Sequence, residues 1–351
     1  MSKKKAAVAI SGGVDSSVAA ALLQEQGFNV IGVTMLVNPY SDNNLLVKKA
    51  RSVCNYIGIP LYTADLREKF KKSVIESFAY EYYKGRTPNP CVVCNPIIKF
   101  GHLMKYAQEL GADYFATGHY ARVKFNKITE QFELLRGINH SKDQAYALYR
   151  LSQSQLGKII FPLGALSKEE VKAKAAKLGL PSAVAEESQE ICFIDDNNYA
   201  RFLQENFPAD SPPGDILSLK GEVIGRHKGL IHYTVGQRRG LGISHPEPLY
   251  VVKINLERNA LIVGHQEDLF SKTAKVTRLS WISGRPPADN KVLCKIRYKH
   301  EVSPAFIILN HSNDSVQVKF EAPQRAITPG QSAVFYTYPD GEVVLGGGII
   351  Q

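Results

Sequence analysis

AISGGVDSSVAAALL, residues 9–23, decides the fold. The apolar run from Ala6 to Ile10 has the character of a buried strand. Gly12 and Gly13 supply a tight turn. Asp15, Ser16 and Ser17 stand where a helix begins and can cap its free N–H groups. Strand, glycine turn and helix make an anion site, because N–H groups and the helix dipole point the same way. Neither GxxxxGK[ST] nor GxGxxG is present, so the two familiar phosphate motifs do not describe this turn.

Working outward, strands and helices alternate to about residue 206. NVIGVTML (29–36), IPLYTADL (59–66) and DYFATG (113–118) read as strands. Residues 45–58, 68–83, 96–110 and 167–179 read as helices, the last with Ser167 and Glu170 as a capping pair and Gly179 at its stop. This pattern predicts a doubly wound parallel α/β sheet, which binds ligands at strand C-terminal ends. FPADSPPGD (207–215) is a proline-rich break, and the Gly-rich stretch to 270 predicts a small linking domain. From 271 to 351 short apolar stretches recur with turn residues between them, which predicts an all-β barrel or sandwich. The expected domains are therefore 1–206, 207–270 and 271–351.

The chain has 351 residues, room for two or three domains, with 44% hydrophobic and 22% charged residues. Its formal net charge is +10, which favours an acidic partner, nucleic acid first. The positive balance sits at the two ends: 26 Lys and Arg against 20 Asp and Glu over 1–206, 7 against 7 over 207–270, and 10 against 6 over 271–351. No apolar run reaches membrane-spanning length. MSKKKAAVAI breaks at Ser11, too early for a signal peptide. A cytoplasmic protein with no membrane partner is expected.

There are five cysteines. Cys54 lies on the apolar face of a helix and Cys294 alternates with Val292 and Ile296, so both read as core residues. Cys91 and Cys94 have C-x-x-C spacing in RTPNPCVVCNPIIKF, with Pro96 suited to the first turn of a helix. Cys94 is thus expected near a helix N-terminus, where the dipole lowers a thiol pKa. Half a zinc site is the other reading, although no second Cys or His pair completes it. Cys192, between Ile191 and Phe193 in ESQEICFIDD, reads equally well as a buried strand cysteine or a functional one.

SGGVDSS after a strand resembles the PP-loop of the N-type ATP pyrophosphatases, whose backbone N–H groups cradle pyrophosphate, in keeping with the absent Walker lysine. GRTPNPCVVCNPIIKF (85–100), ATGHYA (116–121), KDQAYAL (142–148), SQEICFI (188–194), GLIHYTVGQRRGLGI (229–243), KIRY (295–298) and PGQSAVFY (329–336) together resemble the tRNA-specific 2-thiouridylases. The likeness keeps its order over nearly the whole chain. It implies ATP-dependent 2-thiolation of the tRNA wobble uridine, with magnesium accompanying ATP. By the same resemblance, Ala9, Ile10, Ser11, Gly12, Gly13, Val14, Asp15 and Ser16, with Met35 and Gly118, form the ATP site. Cys94 matches the nucleophile and Cys192 the persulfide carrier, loaded by a cysteine desulfurase or relay carrier. Asn89, Pro90 and Cys91 match the loop that meets the target base. His119, Lys142, Asp143, Gln144, Arg297, Tyr298 and Gln331 match contacts to the tRNA, which is held by its anticodon arm.

Many thiouridylases carry Asp where Cys91 stands, while another group has cysteine. In that group Cys91, Cys94 and Cys192 are candidate ligands of a [4Fe–4S] cluster, since three thiolates can hold one with an iron left open. Two other functions fit the motifs less fully: a PP-loop synthetase or amidotransferase adenylating a small metabolite, and a non-catalytic RNA-binding protein.

Overall fold

The computed structural model describes residues 3–40, 43–183, 191–194, 196–310, 312 and 314–351. The opening apolar run is β1 (Lys5–Ala9), followed by β2 (Asn29–Leu36), β3 (Leu61–Asp65), β4 (Tyr114–Ala116), β5 (Ala121–Asn126), β6 (Gln131–Arg136) and β7 (Ile159–Ile160). Five of these form a parallel sheet in the order β3-β2-β1-β4-β7. The chain reverses its direction of winding between β1 and β4, so a crevice opens at their C-terminal ends. Helix α1 (Val14–Glu25) follows β1, and Asn44–Ile57 lies between β2 and β3. The latter packs Ala50, Val53 and Cys54 inward, and a β-carbon on Gly32 of β2 would stand 2.6 Å from Cys54 Sγ. Cys54 is thus the core residue that its helical spacing implied.

Two helical runs depart from α winding. Arg67–Phe70 and Glu76–Tyr83 are joined by a π-type stretch, Lys71–Ile75, and Cys91–Cys94 continues through π-type Asn95–Leu103 into Met104–Glu109. Pro96 accounts for the second. It has no N–H, and its ring excludes an ordinary bond to the Val92 carbonyl, which Arg150 Nη1 approaches at 3.5 Å instead. Gln155 Nε2 donates to the carbonyls of Pro96 and Phe100, both at 3.0 Å. A side chain inserted into the helical ladder in this way widens the turn. The helix therefore begins at Cys91, five residues before the proline expected to open it.

The middle segment is more than a linker. β8 (Gly214–Leu217), β9 (Val223–His227), β10 (Tyr250–Asn255) and β11 (Ala260–Gly264) make a four-stranded sheet around its own core of Ile216, Val251, Leu261 and Val263. β12 (Phe270–Trp281), β13 (Lys291–Lys295), β14 (Ser303–Leu309), β15 (Ser315–Arg325), β16 (Ser332–Tyr336) and β17 (Val343–Ile350) then close an antiparallel barrel, in which β12 pairs with both β15 and β17. Cys294 is fully buried in it.

The β5–β6 hairpin, which the sequence reading did not find, joins the barrel's sheet by pairing β6 with β17. Tyr146, Leu148 and Tyr149 share one buried cluster with Leu293, Val334, Tyr336 and Val344 of the barrel. The Tyr146 hydroxyl donates to the Ser332 carbonyl at 2.9 Å. The first and third domains are packed into one body through this common core.

Candidate active site

The turn after β1 lies at the crevice. Gly12 has φ 81°, and a β-carbon there would stand 2.5 Å from Lys49 Cβ, so only glycine fits. Gly13 is the N-cap of α1, and no side-chain oxygen caps the first turn. This corrects the expectation that Asp15, Ser16 and Ser17 cap it. The Ser16 and Ser17 hydroxyls instead donate to the Gly13 carbonyl, at 3.1 and 2.8 Å. The first-turn N–H groups are thereby left for a ligand. Ser11 and Ser16 hydroxyls lie 3.3 Å apart beside them. Gly118, just beyond β4, packs onto this turn so closely that a β-carbon would stand 2.8 Å from the Asp15 carbonyl carbon. Ala9 ends β1, Ile10 N donates to Val33 O at 2.8 Å, and Met35 sits near the end of β2. The predicted ATP residues thus share the crevice, and an uncapped helix start cradled by two cramped glycines fits a phosphate chain.

Asp15 faces α1's surroundings and is fixed there. Tyr120 Oη donates to its Oδ1 at 2.8 Å and Lys168 Nζ at 2.7 Å. The Lys168 side chain is only 4% exposed and Asp15 34%. Sequence reading missed Lys168. It follows the capping residue Ser167, whose box with Glu170 is formed as expected, and local pattern says nothing of where a first-turn lysine reaches.

The second half of the site is built from thiols. The Cys91 N–H donates to Asn89 Oδ1 at 3.0 Å, and the Cys94 N–H donates to the Pro90 carbonyl at 2.9 Å. Cys91 and Cys192 are exposed and Cys94 half-buried. All three nevertheless stand amid dense protein and act on one another. Burial pushes the Cys94 thiol up to about 12, with Lys99 opposing and Cys192 and Cys91 adding to the rise. Burial likewise pushes Cys192 up to about 11, aided by Cys91 and opposed by Lys99. It raises Cys91 too, again against Lys99. Accessible surface and strong desolvation coexist where thiols line a recess. The direction is opposite to the lowering expected of a helix start, and burial is its largest cause. Of the SQEICFI motif, Ser188, Gln189 and Glu190 lie outside the described residues.

Lys99 was not foreseen. Its Nζ lies 3.5 Å from His119 Nε2, while His119 Nδ1 lies 2.7 Å from Thr117 Oγ1. Burial, then Lys99, holds the His119 pKa well below its usual value, so the ring is neutral. With the ammonium donating to Nε2, the proton sits on Nδ1 and is given to Thr117. Among the described residues no group of three His, Cys, Asp or Glu side chains is placed to hold a metal ion.

The remaining tRNA candidates fall into three places. Asp143 is 2% exposed: Oδ1 accepts from the N–H groups of Gly137 and Ala145, both at 3.0 Å, and Oδ2 meets Arg136 Nε at 3.3 Å. Its carboxylate shapes the turn that carries Lys142 and Gln144, and Gln144 Oε1 accepts from Tyr120 N at 3.0 Å. Gln331 Nε2 donates to the Thr87 carbonyl at 2.6 Å, two residues before Asn89. Arg297 and Tyr298 follow β13 in a basic and aromatic cluster. Lys295 Nζ lies 5.9 Å from the Tyr298 ring centre and 6.0 Å from that of Tyr146. Burial and then Arg325 lower the Arg297 pKa, and burial lowers that of His300 beside Arg297 and Lys295. Gathered cations that repel one another call for a polyanion.

Family models match the chain along its length: the tRNA methyl transferase HUP domain over residues 4–196, the tRNA methyl transferase PRC-barrel domain over 200–265 and the aminomethyltransferase beta-barrel domain over 271–350. The tRNA-specific 2-thiouridylase MnmA of Acetivibrio thermocellus is 46% identical over 363 residues, covering 100% of each chain. The tRNA-specific 2-thiouridylase MnmA 1 of Caldanaerobacter subterraneus is 50% identical, covering 98% of this chain and 97% of its own. A tRNA-specific 2-thiouridylase MnmA from Geobacter metallireducens is 45% identical, covering 99% and 97%. Among the described residues no helix is long and apolar enough to cross a membrane.

Proposed function

Because the chain belongs to the tRNA-specific 2-thiouridylase family, we propose that it thiolates C2 of the wobble uridine of tRNA in the cytoplasm, by adenylation followed by sulfur transfer. ATP lies in the crevice, its β and γ phosphates at the uncapped first turn of α1. Backbone N–H groups there stabilise the pyrophosphate as it leaves. Asp15, oriented by Tyr120 and Lys168, is the carboxylate suited to the magnesium ion that accompanies ATP.

The tRNA lies against Arg297 and Tyr298, with Lys295 buried behind them, and its target base is taken out of the stack to reach the recess. Uridine O2 attacks the α phosphate, pyrophosphate departs and C2 becomes electrophilic. Cys192 arrives as a persulfide, loaded by a donor protein. The Cys94 thiolate attacks Cys192 Sγ, forming a Cys94–Cys192 disulfide and freeing the terminal sulfur with its electron pair. That sulfide adds to C2, AMP leaves with O2, and two external thiols, joined as their own disulfide, return two electrons and two protons to the Cys94–Cys192 disulfide. Lys99, which acts on all three thiols, favours the anionic sulfur that each step needs.

The observation that carries this reading is the convergence of Cys94, Cys192 and Cys91 about Lys99 in a protein whose first turn is built for phosphate. The test is AMP release with and without tRNA. Release that requires tRNA and is accompanied by thiolation supports the proposal. Release with a small metabolite alone would favour a synthetase, and no release at all a binding protein.

A further inference from the structure

The loop before the cysteine pair, residues 85–90, is gripped from three sides. Thr87 N donates to the Pro329 carbonyl at 2.8 Å, and Gln331 Nε2 donates back to the Thr87 carbonyl at 2.6 Å. Gly330 closes this grip, since a β-carbon on it would stand 2.8 Å from Thr87 N. The Thr87 hydroxyl meets Thr234 Oγ1 of the middle domain at 3.1 Å. Beneath the loop lies Glu81, 5% exposed. Its Oε1 accepts a hydrogen bond from Arg278 Nη1 of the barrel at 2.9 Å, and its Oε2 lies 2.9 Å from Arg86 Nε as an ion pair without a hydrogen bond's alignment.

Arg278 is delivered by an irregularity. It has φ 50°, a left-handed backbone uncommon for a side chain of its size, where the pairing of β12 with β17 shifts between Thr277 and Ser280. A bulge re-aims a side chain, and here the arginine leaves the barrel wall for the carboxylate of another domain. A buried carboxylate shared by two arginines is retained only where its partners hold still.

We propose that Glu81 is a positioning residue for sulfur transfer: by joining Arg86 to Arg278 it locks the loop carrying Asn89, Cys91 and Cys94 to the barrel on which tRNA rests. This builds on the function proposed above, and concerns only how the nucleophile is held. The barrel that holds the RNA thereby also sets where Cys94 stands.

The test compares Glu81→Gln, Arg278→Leu, Arg278→Lys and the Glu81→Gln/Arg278→Leu pair in the full chain. Misplacing a nucleophile by about 1 Å costs on the order of a hundredfold. Single-turnover thiolation at saturating tRNA and ATP is expected to fall at least about tenfold in each of the first two variants, with KM for tRNA and ATP within about twofold. Arg278→Lys should recover most of the rate, and the double variant should be no slower than the worse single one. Alkylation of Cys94 by iodoacetamide, followed by mass spectrometry, should change in the first two variants without tRNA present. Arg278 is largely exposed, so its variants remain informative if Glu81→Gln fails to fold. Unchanged turnover and alkylation in Arg278→Leu, or a loss confined to tRNA KM, would overturn the proposal. If wild-type protein does not thiolate tRNA, the function fails instead, and the Cys94 alkylation rates alone judge the clamp.

Discussion

The ATP crevice and the thiol recess are made by opposite means. The crevice is local: β1, its turn and the start of α1 span residues 5–17, and Gly12, Ser16 and Ser17 hold their places through neighbours within that segment or packed directly on it. The recess draws Cys91 and Cys94 from one helix start and Cys192 from a segment about a hundred residues on. Its thiols are raised by burial and so are protonated at rest near neutral pH. On the function proposed above, phosphate binding is ready before substrate arrives, whereas sulfur chemistry awaits ionisation and loading. A fold can inherit the first from a short motif, but the second needs the whole architecture.

If the two halves are separable, Cys94→Ser and Cys192→Ser should each abolish thiolation while ATP affinity stays unchanged, because a hydroxyl neither carries a persulfide nor attacks one. Equilibrium ATP binding beside a thiolation assay checks this, and weakened ATP binding in either variant would join the halves. From the other side, Asp15→Ala should lower AMP formation and thiolation together by about a hundredfold or more, with tRNA binding retained. It removes a charged hydrogen-bond partner of the buried Lys168 ammonium, so stability should also fall by about 2 kcal/mol. Lys168→Met strands only a partly exposed carboxylate and should cost less. Denaturant unfolding of the two variants measures the asymmetry, which would reverse if Lys168 were the better solvated partner.

The resting protonation of the recess has its own signature. With Cys94 pushed up to about 12 from a usual 9.0, its thiolate fraction rises through the whole range from pH 7 to 10. Iodoacetamide labelling of Cys94 should therefore climb about tenfold per pH unit with no plateau, and a plateau below pH 9 would mean an activated thiol. The linkage runs the same way: above the unfolded pKa the denatured chain loses the proton first, so this thiol's contribution to stability declines as pH rises from 9 toward 12. The smallest effect belongs to the RNA face. Arg297→Ala should weaken tRNA binding severalfold and reduce the salt slope by about one, leaving ATP binding in the absence of tRNA untouched.

The same contrast governs what the sequence made legible. β1, the glycine turn, β2 as NVIGVTML, the Ser167–Glu170 box and the burial of Cys54 and Cys294 all follow from periodicity or capping, which are properties of neighbours along the chain. The β5–β6 hairpin was missed although its two strands pair with each other locally, and its place in the barrel's sheet was not legible, because that rests on β6 meeting β17 some two hundred residues away. Lys168 and Lys99 carried no local signal, since their partners are set by tertiary packing. Asp143 was expected by resemblance to contact tRNA, and only its burial against Gly137, Ala145 and Arg136 reveals that it holds the turn instead of facing outward. The rise of the Cys94 pKa was not legible because desolvation, its largest cause, is a three-dimensional quantity.

The proposed mechanism needs two thiols and no cluster to carry the sulfur, with Cys91 dispensable to the chemistry. Wild-type protein and Cys91→Ser, purified anaerobically and reconstituted or left iron-free, should be loaded with labelled persulfide on Cys192 and mixed with ATP and tRNA, and iron, sulfide and thiolated uridine counted in a single turnover. The account predicts that iron-free wild type and Cys91→Ser both pass the labelled sulfur to uridine at comparable rates. Thiolation that tracks bound iron, and disappears together with it in Cys91→Ser, would contradict it.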